Sequence, residues 1–215
     1  DQAFDTGTCT GVQPMAYVIA DPAFTPPSVR HLFPEKLHDL PCLITMEPVS
    51  DLQPSELPML RNGHVTFGVF NRINKISDDA IRVWSKVMRE VTGSRIIIKH
   101  TLLDDPLVRE RLIARFVAQG VSEADITCMG LTSRPEHLGA FAQVDISLDP
   151  FPQNGGISTW ESLYAGVPVV ARLGNASSSR AGASIVAAVG LNDWVADDDD
   201  GYAAIACKYA AQPAH

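Results

Sequence analysis

The chain has 215 residues, with 17 Lys plus Arg against 25 Asp plus Glu, a formal net charge of −8 and 46% apolar residues. That supplies apolar material for one or two domains with a real core, and the acidic balance excludes the uniform cationic surface needed for nucleic-acid backbone binding. No run approaches the roughly 18 to 20 consecutive apolar residues that cross a bilayer, and the opening DQAFDTGTCTG lacks a charged-then-apolar leader. The expectation is a cytoplasmic protein with neither a nucleic-acid nor a membrane partner. Cys9, Cys42, Cys128 and Cys207 lie far apart, with no CxxC pair and no His at zinc-ligand spacing. They read as reduced thiols, and no metal site is expected.

The first 60 or so residues are rich in proline, from Pro14 to Pro58, and offer two short apolar runs, AYVIAD and PCLITM. Such a stretch cannot close a core by itself. From His64 onward apolar runs of strand length alternate with amphipathic stretches, the pattern of βαβ units around a parallel sheet. The boundary is placed at Arg61-Asn62-Gly63, giving units 1–62 and 63–215. The strands are expected at 65–70 (VTFGVF), 95–100 (RIIIKH), 126–131 (ITCMGL), 145–150 (DISLDP) and 168–173 (PVVARL). Between the first two, Ser77 caps a helix with Ile81, Trp84, Val87, Met88 and Val91 along one face, ended by Gly93. Asp105-Pro106 opens the next, with Leu107, Val108, Leu112, Ile113, Phe116 and Val117 as its buried stripe and Gly120 closing it. Further helices are expected over 133–143, 158–165, 179–189 and 202–211, the last preceded by a solvated acidic run, Asp197 to Asp200. The fold class is thus α/β, a Rossmann-like doubly wound parallel sheet. No self-similarity of 20 to 50 residues marks a repeat array in this stretch.

In an open α/β sheet, ligands bind beyond the carboxyl ends of the strands, where loops meet helix N-termini. The loop after DISLDP carries Asn154, Gly155 and Gly156 ahead of a helix beginning at Ile157 or Ser158. Adjacent glycines allow close backbone approach, and the helix start favours an anion such as a diphosphate. Glu161 has two readings: a carboxylate for a ribose diol, or the far end of a Ser158-x-x-Glu161 capping box. The loop after VTFGVF presents Asn71, Arg72 and Lys75, where a cation neutralises phosphate or simply lies solvated. The loop after ITCMGL runs from Thr132 and places Arg134 and His137 one helical turn apart, either flanking a base or ribose or as plain surface residues. No P-loop, no G-x-G-x-x-G and no Ser-His-Asp or Cys-His signature is present.

Several segments resemble one family in order: 65–75 (VTFGVFNRINK), 144–166 (VDISLDPFPQNGGISTWESLYAG) and 179–190 (SRAGASIVAAVG), with AYVIADPAFTPPSVRHLFPEKLHDLPCLITMEP upstream. They are similar to the catalytic region of O-linked N-acetylglucosamine transferases and SPINDLY-type protein O-fucosyltransferases. The resemblance implies the C-terminal half of a GT-B glycosyltransferase with a remnant of the N-terminal half, usually preceded by tetratricopeptide repeats. It implies metal-independent, inverting transfer of a sugar from a nucleoside-diphosphate sugar to Ser or Thr of a protein acceptor, without a cofactor. By the same resemblance Lys75 meets the donor diphosphate, and Arg134 and His137 flank the nucleoside beside Thr132. Gly156, Ile157 and Ser158 form the phosphate-receiving helix start, and Glu161 binds ribose; Asn71, Arg72, Asn154 and Gly155 complete the donor site. Where animal transferases carry His and two Thr after Asn-Gly, this chain has Gly156-Ile157-Ser158, and Arg134 replaces a lysine. The resemblance places the catalytic histidine motif in the missing half, so little turnover is expected from this stretch alone. A degenerate scaffold domain, favoured by the Gly156-Ile157 departure, and a transferase with a non-protein acceptor are the alternatives.

Overall fold

The structure, a computed structural model, describes residues 12, 14–49 and 52–212. Cys9 lies outside these residues, and Cys42, Cys128 and Cys207 are free thiols. The chain opens with β1 (Tyr17–Ala20), a helical turn α1 (Pro27–Arg30) and β2 (Lys36–Asp39), which pairs parallel with β1. The apolar run AYVIAD therefore supplies a strand, but its partner is the polar KLHD, and the run PCLITM forms no strand. Its apolar side chains act differently: Cys42 and Ile44 pack with Phe24 against Ala181 and Ile185.

A second turn, α2 (Met59–Asn62), ends on Gly63, whose φ of 72° suits glycine. The main sheet follows: β3 (Thr66–Val69), β4 (Arg95–Lys99), β5 (Ile126–Met129), β6 (Ile146–Leu148), β7 (Val169–Arg172) and β8 (Val195–Ala196). The helices between them are α3 (Asp78–Glu90), α4 (Pro106–Val117), α5 (Arg134–Gly139), α6 (Ile157–Tyr164) and α7 (Ala181–Ala188), with α8 (Asp199–Ala210) after β8. The spatial order is β5-β4-β3-β6-β7-β8, all parallel. Numbered within this sheet alone it is the doubly wound Rossmann arrangement, and the winding reverses between β3 and β6. The expected fold class is observed with one more strand than anticipated, because β8 is only two residues long.

Both faces of the central strands are covered. Phe67, Val69, Ile96, Ile98 and Leu148 meet Trp84, Phe116 and Tyr202 on one side. Ile97, Phe70, Phe141 and Val144 cluster on the other, which is why the centre of this strand, Ile96-Ile97-Ile98, is continuously apolar. Gly68 is held to glycine by Val144, whose Cγ1 would lie 2.6 Å from an added Cβ. The caps at Ser77 and Asp105 form as expected, accepting from the Ala80 and Leu107 amides. The α4 stripe is narrower than its apolar pattern: Leu112 and Phe116 are buried, whereas Leu107 and Val117 are exposed on the flanks. The acidic run is also more than a solvated cluster. Asp198 caps α8, Asp199 pairs with Arg82 and Arg172, and Asp200 pairs with Lys86, tying α8 to α3 and β7. No helix among the described residues is long and apolar enough to cross a membrane.

Candidate functional site

The winding reversal between β3 and β6 leaves a crevice at their carboxyl ends, and the two loops that leave those strands are stitched across it. Lys75 Nζ donates to the Asn154 carbonyl at 2.6 Å, Ser77 Oγ to the Phe151 carbonyl at 2.6 Å, and Ser158 Oγ to Asn71 Oδ1 at 2.9 Å. Above these contacts opens a cleft of about 850 Å³. All twelve residues singled out from the sequence line it: Asn71, Arg72, Lys75, Thr132, Arg134, His137, Asn154, Gly155, Gly156, Ile157, Ser158 and Glu161.

Their roles differ in detail. Helix α6 begins at Ile157 with Gly156 as N-cap and no side-chain cap; the Gly156 carbonyl accepts from the Thr159 and Trp160 amides, and Gly156, Ile157 and Ser158 themselves line the cleft. The capping-box reading of Ser158 and Glu161 is overturned, because Ser158 lies inside the helix and bonds Asn71. A true capping box forms instead at Ser133 and Glu136, opening α5. Asn154 turns its side chain inward, donating from Nδ2 to the Pro150 and Arg172 carbonyls, and offers only its backbone carbonyl to Lys75. The Gly155 amide is held by Asp149. Three consecutive residues of α6 are fastened to three separate segments: Ser158 to Asn71, Thr159 Oγ1 to Asp149, and Trp160 Nε1 to the Ile44 carbonyl.

Glu161, 24 to 27 residues beyond Arg134 and His137, is where α5 and α6 meet. Arg134 Nη1 donates to Glu161 Oε1, and His137 Nε2 lies 3.2 Å from Oε2. Burial pushes this carboxyl up, but the bonds from His137 and Arg134 outweigh it and hold it below the ordinary glutamate value. Phe70 and Phe141 pack edge-on to the His137 ring. The result is a fixed carboxylate with two neighbouring donors beside an aromatic patch, a group able to bind a diol.

Among the residues that line or support the cleft and were not singled out from sequence, three are titratable. Lys99 closes β4 almost fully buried, its ammonium donating to the Gly130 carbonyl at 2.8 Å, and burial lowers its pKa. The His100 imidazole next to it is held down by burial and by the Arg72 charge. The third is Asp149, fully buried under the loop, where both carboxylate oxygens receive the Gly155 amide and Oδ1 also receives the Thr159 hydroxyl. Burial pushes its carboxyl up to about 7, against the opposing pull of Gly155, Thr159 and Lys75. An aspartate that follows an apolar strand and precedes a glycine-rich turn is the visible signal for it. Among the described residues no group of three or more His, Cys, Asp or Glu is placed to hold a metal ion.

The Asp149 value carries a consequence for stability. The folded chain keeps the carboxyl proton between the ordinary aspartate value of 3.8 and about 7, whereas the unfolded chain has lost it. This group's contribution to stability is therefore greatest at acid pH and falls as pH rises through about 7. Urea midpoints measured across that range should decline in the wild type and flatten in Asp149→Asn; parallel curves would contradict the burial of a titrating carboxyl.

Known proteins resemble this chain in sequence and in fold. A SPINDLY protein from Petunia hybrida, described as a probable UDP-N-acetylglucosamine–peptide N-acetylglucosaminyltransferase, is 34% identical over 94% of this chain and 22% of its own length. An O-GlcNAc transferase from Thermobaculum terrenum (a K341M mutant) superposes with a TM-score of 0.83 at 28% identity, over 94% of this chain and 38% of that one. A sucrose-phosphate synthase from Thermosynechococcus elongatus shares the fold alone, with a TM-score of 0.59 at 14% identity, over 92% of this chain and 50% of that one. The chain thus spans about a fifth of the curated relative's length. The family model described as Glycosyl transferase family 41 matches residues 52–215, and this chain belongs to that family.

Proposed function

We propose that this chain supplies the donor site of a protein O-glycosyltransferase, binding a nucleoside-diphosphate sugar in the cleft between β3 and β6. The observation that carries the reading is the meeting of the Lys75 ammonium with the uncapped amino end of α6 at the winding reversal. Glu161, steered by Arg134 and His137, is the ribose acceptor, and Phe70 with Thr132 lies on the nucleoside side. The relatives' names favour a UDP-sugar donor and a peptide acceptor; a GDP-sugar is the competing choice. Residues 1–62 are the end of the facing half of the catalytic region and 63–215 the donor-binding unit.

In the reaction, an acceptor hydroxyl forms a bond to the anomeric carbon as the bond from that carbon to the diphosphate oxygen breaks. The diphosphate leaves with the bonding pair, and Lys75 and the first-turn amides of α6 stabilise that charge already in place, without a metal ion. Because attack comes opposite the leaving group, the transfer inverts, and the hydroxyl proton goes to a base on the facing wall. Calorimetry on the chain with UDP, GDP and pyrophosphate tests the reading. One nucleoside diphosphate should bind more tightly than pyrophosphate, and Glu161→Gln should weaken it about tenfold by unbalancing the Arg134 and His137 bonds. Equal binding of pyrophosphate and nucleotides would remove Glu161 from the site, and no binding at all would favour a scaffold domain, the reading that the apolar, exposed Ile157 supports.

A further inference from the structure

We propose that Asp149 is the positioning residue of this cleft: from beneath the loop its carboxylate shapes the Gly155–Ser158 backbone and steadies Lys75, so that diphosphate binding and the charge on Asp149 are coupled. The coupling rests on the donor-site reading above, whereas the hold on the loop stands on the free chain's geometry.

That geometry is built around a carboxylate. Oδ1 accepts from the Gly155 amide at 3.0 Å and the Thr159 hydroxyl at 3.1 Å, and Oδ2 lies 3.2 Å from the same amide. Two glycines from separate segments clear the space: a Cβ on Gly155 would lie 2.4 Å from Oδ1, and one on Gly182 would lie 2.3 Å from Oδ2. The Asp149 carbonyl is fixed as well, accepting from the Tyr202 hydroxyl at 3.0 Å. The turn that delivers the Asn154 carbonyl to Lys75 and opens α6 is thereby held at its centre.

The titratable groups facing Asp149 are Lys75, from the loop after β3, and Tyr202, from α8. Burial raises the Tyr202 phenol well above its ordinary value, so it stays neutral. Lys75 is then the charge that offsets Asp149, and a diphosphate claims the same ammonium from the cleft side. An incoming anion opposes the ionised carboxylate and favours its protonated form, so binding draws a proton from solvent onto Asp149. By linkage, affinity for the anion falls as pH rises through the range in which Asp149 ionises.

Two measurements on the 215-residue chain test this. In the free protein, followed by amide NMR, the Gly155 and Thr159 signals should titrate with a midpoint near 7. The titration should vanish in Asp149→Asn and move to higher pH in Thr159→Val, which deletes one bond to the carboxylate while keeping the side-chain shape. By calorimetry with UDP and GDP, the affinity of the wild type relative to Asp149→Asn should fall about tenfold from about pH 6 to about pH 8.5. Taking the ratio at each pH cancels ionisation of the nucleotide itself. Gly155 and Thr159 signals that stay flat in the wild type, or a ratio independent of pH, would overturn the proposal. Should the amides titrate as described while neither nucleotide binds, Asp149's hold on the loop stands and the donor-site reading fails. If Asp149→Asn does not fold, the Thr159→Val shift decides.

Discussion

Replacing Lys75 by Met should lower nucleoside-diphosphate affinity by about two orders of magnitude, an effect of roughly 2–4 kcal/mol for losing a charge-assisted contact at a half-buried ammonium. The aliphatic stem is preserved, so the loss reports the ammonium rather than packing. Two further results are tied to it. Lys75→Arg should recover only part of the affinity, because a planar fork does not replace a point charge held at 2.6 Å from the Asn154 carbonyl. The Asp149 carboxyl, deprived of the cation that pulls its pKa down, should titrate above about 7. Calorimetry at constant ionic strength measures the first two and NMR the third. Unchanged affinity in Lys75→Met would move the anion away from this end of the cleft.

Trp84→Ala should destabilise the fold by about 3–5 kcal/mol. Trp84 is fully buried at the middle of α3, between the sheet and α8. Its indole Nε1 donates to the Tyr202 hydroxyl at 3.2 Å, and that hydroxyl donates to the Asp149 carbonyl. The substitution leaves a cavity and also strips a buried phenol of one partner. Trp84→Phe separates the two effects, since it fills most of the volume and loses only the donor, at about 1–2 kcal/mol. Denaturant midpoints with unchanged slopes give both numbers. A cost below about 1 kcal/mol for Trp84→Ala would mean that α3 does not carry the core.

The local part of this molecule was legible in its residues. Ser77 and Asp105-Pro106 open their helices because capping is a matter of a few adjacent atoms, and the βαβ alternation is written in periodicity. Strand β2 escaped notice because KLHD is polar and pairs at the edge of a two-stranded sheet. Leu107 and Val117 show the limit of a helical stripe: spacing reports which residues share a face, not how wide a surface the sheet offers. In the cleft, loop position at strand ends pointed to segments that line it. Spacing alone left Glu161 open as a cap, and only tertiary structure shows that it pairs with Arg134 and His137 instead. Asp149 was not legible as a buried acid, because its burial depends on Gly182 and Tyr202, far along the chain.

The fastening of Ser158, Thr159 and Trp160 to three distant segments has a further consequence. A helix end gripped on three sides has given up its conformational freedom during folding rather than at the encounter with an anion. Little ordering entropy is then left to lose on association. On the donor-site proposal this amino end is a preorganised receptor, and capture at it should be governed by diffusion and charge instead of by a wait for the backbone to settle.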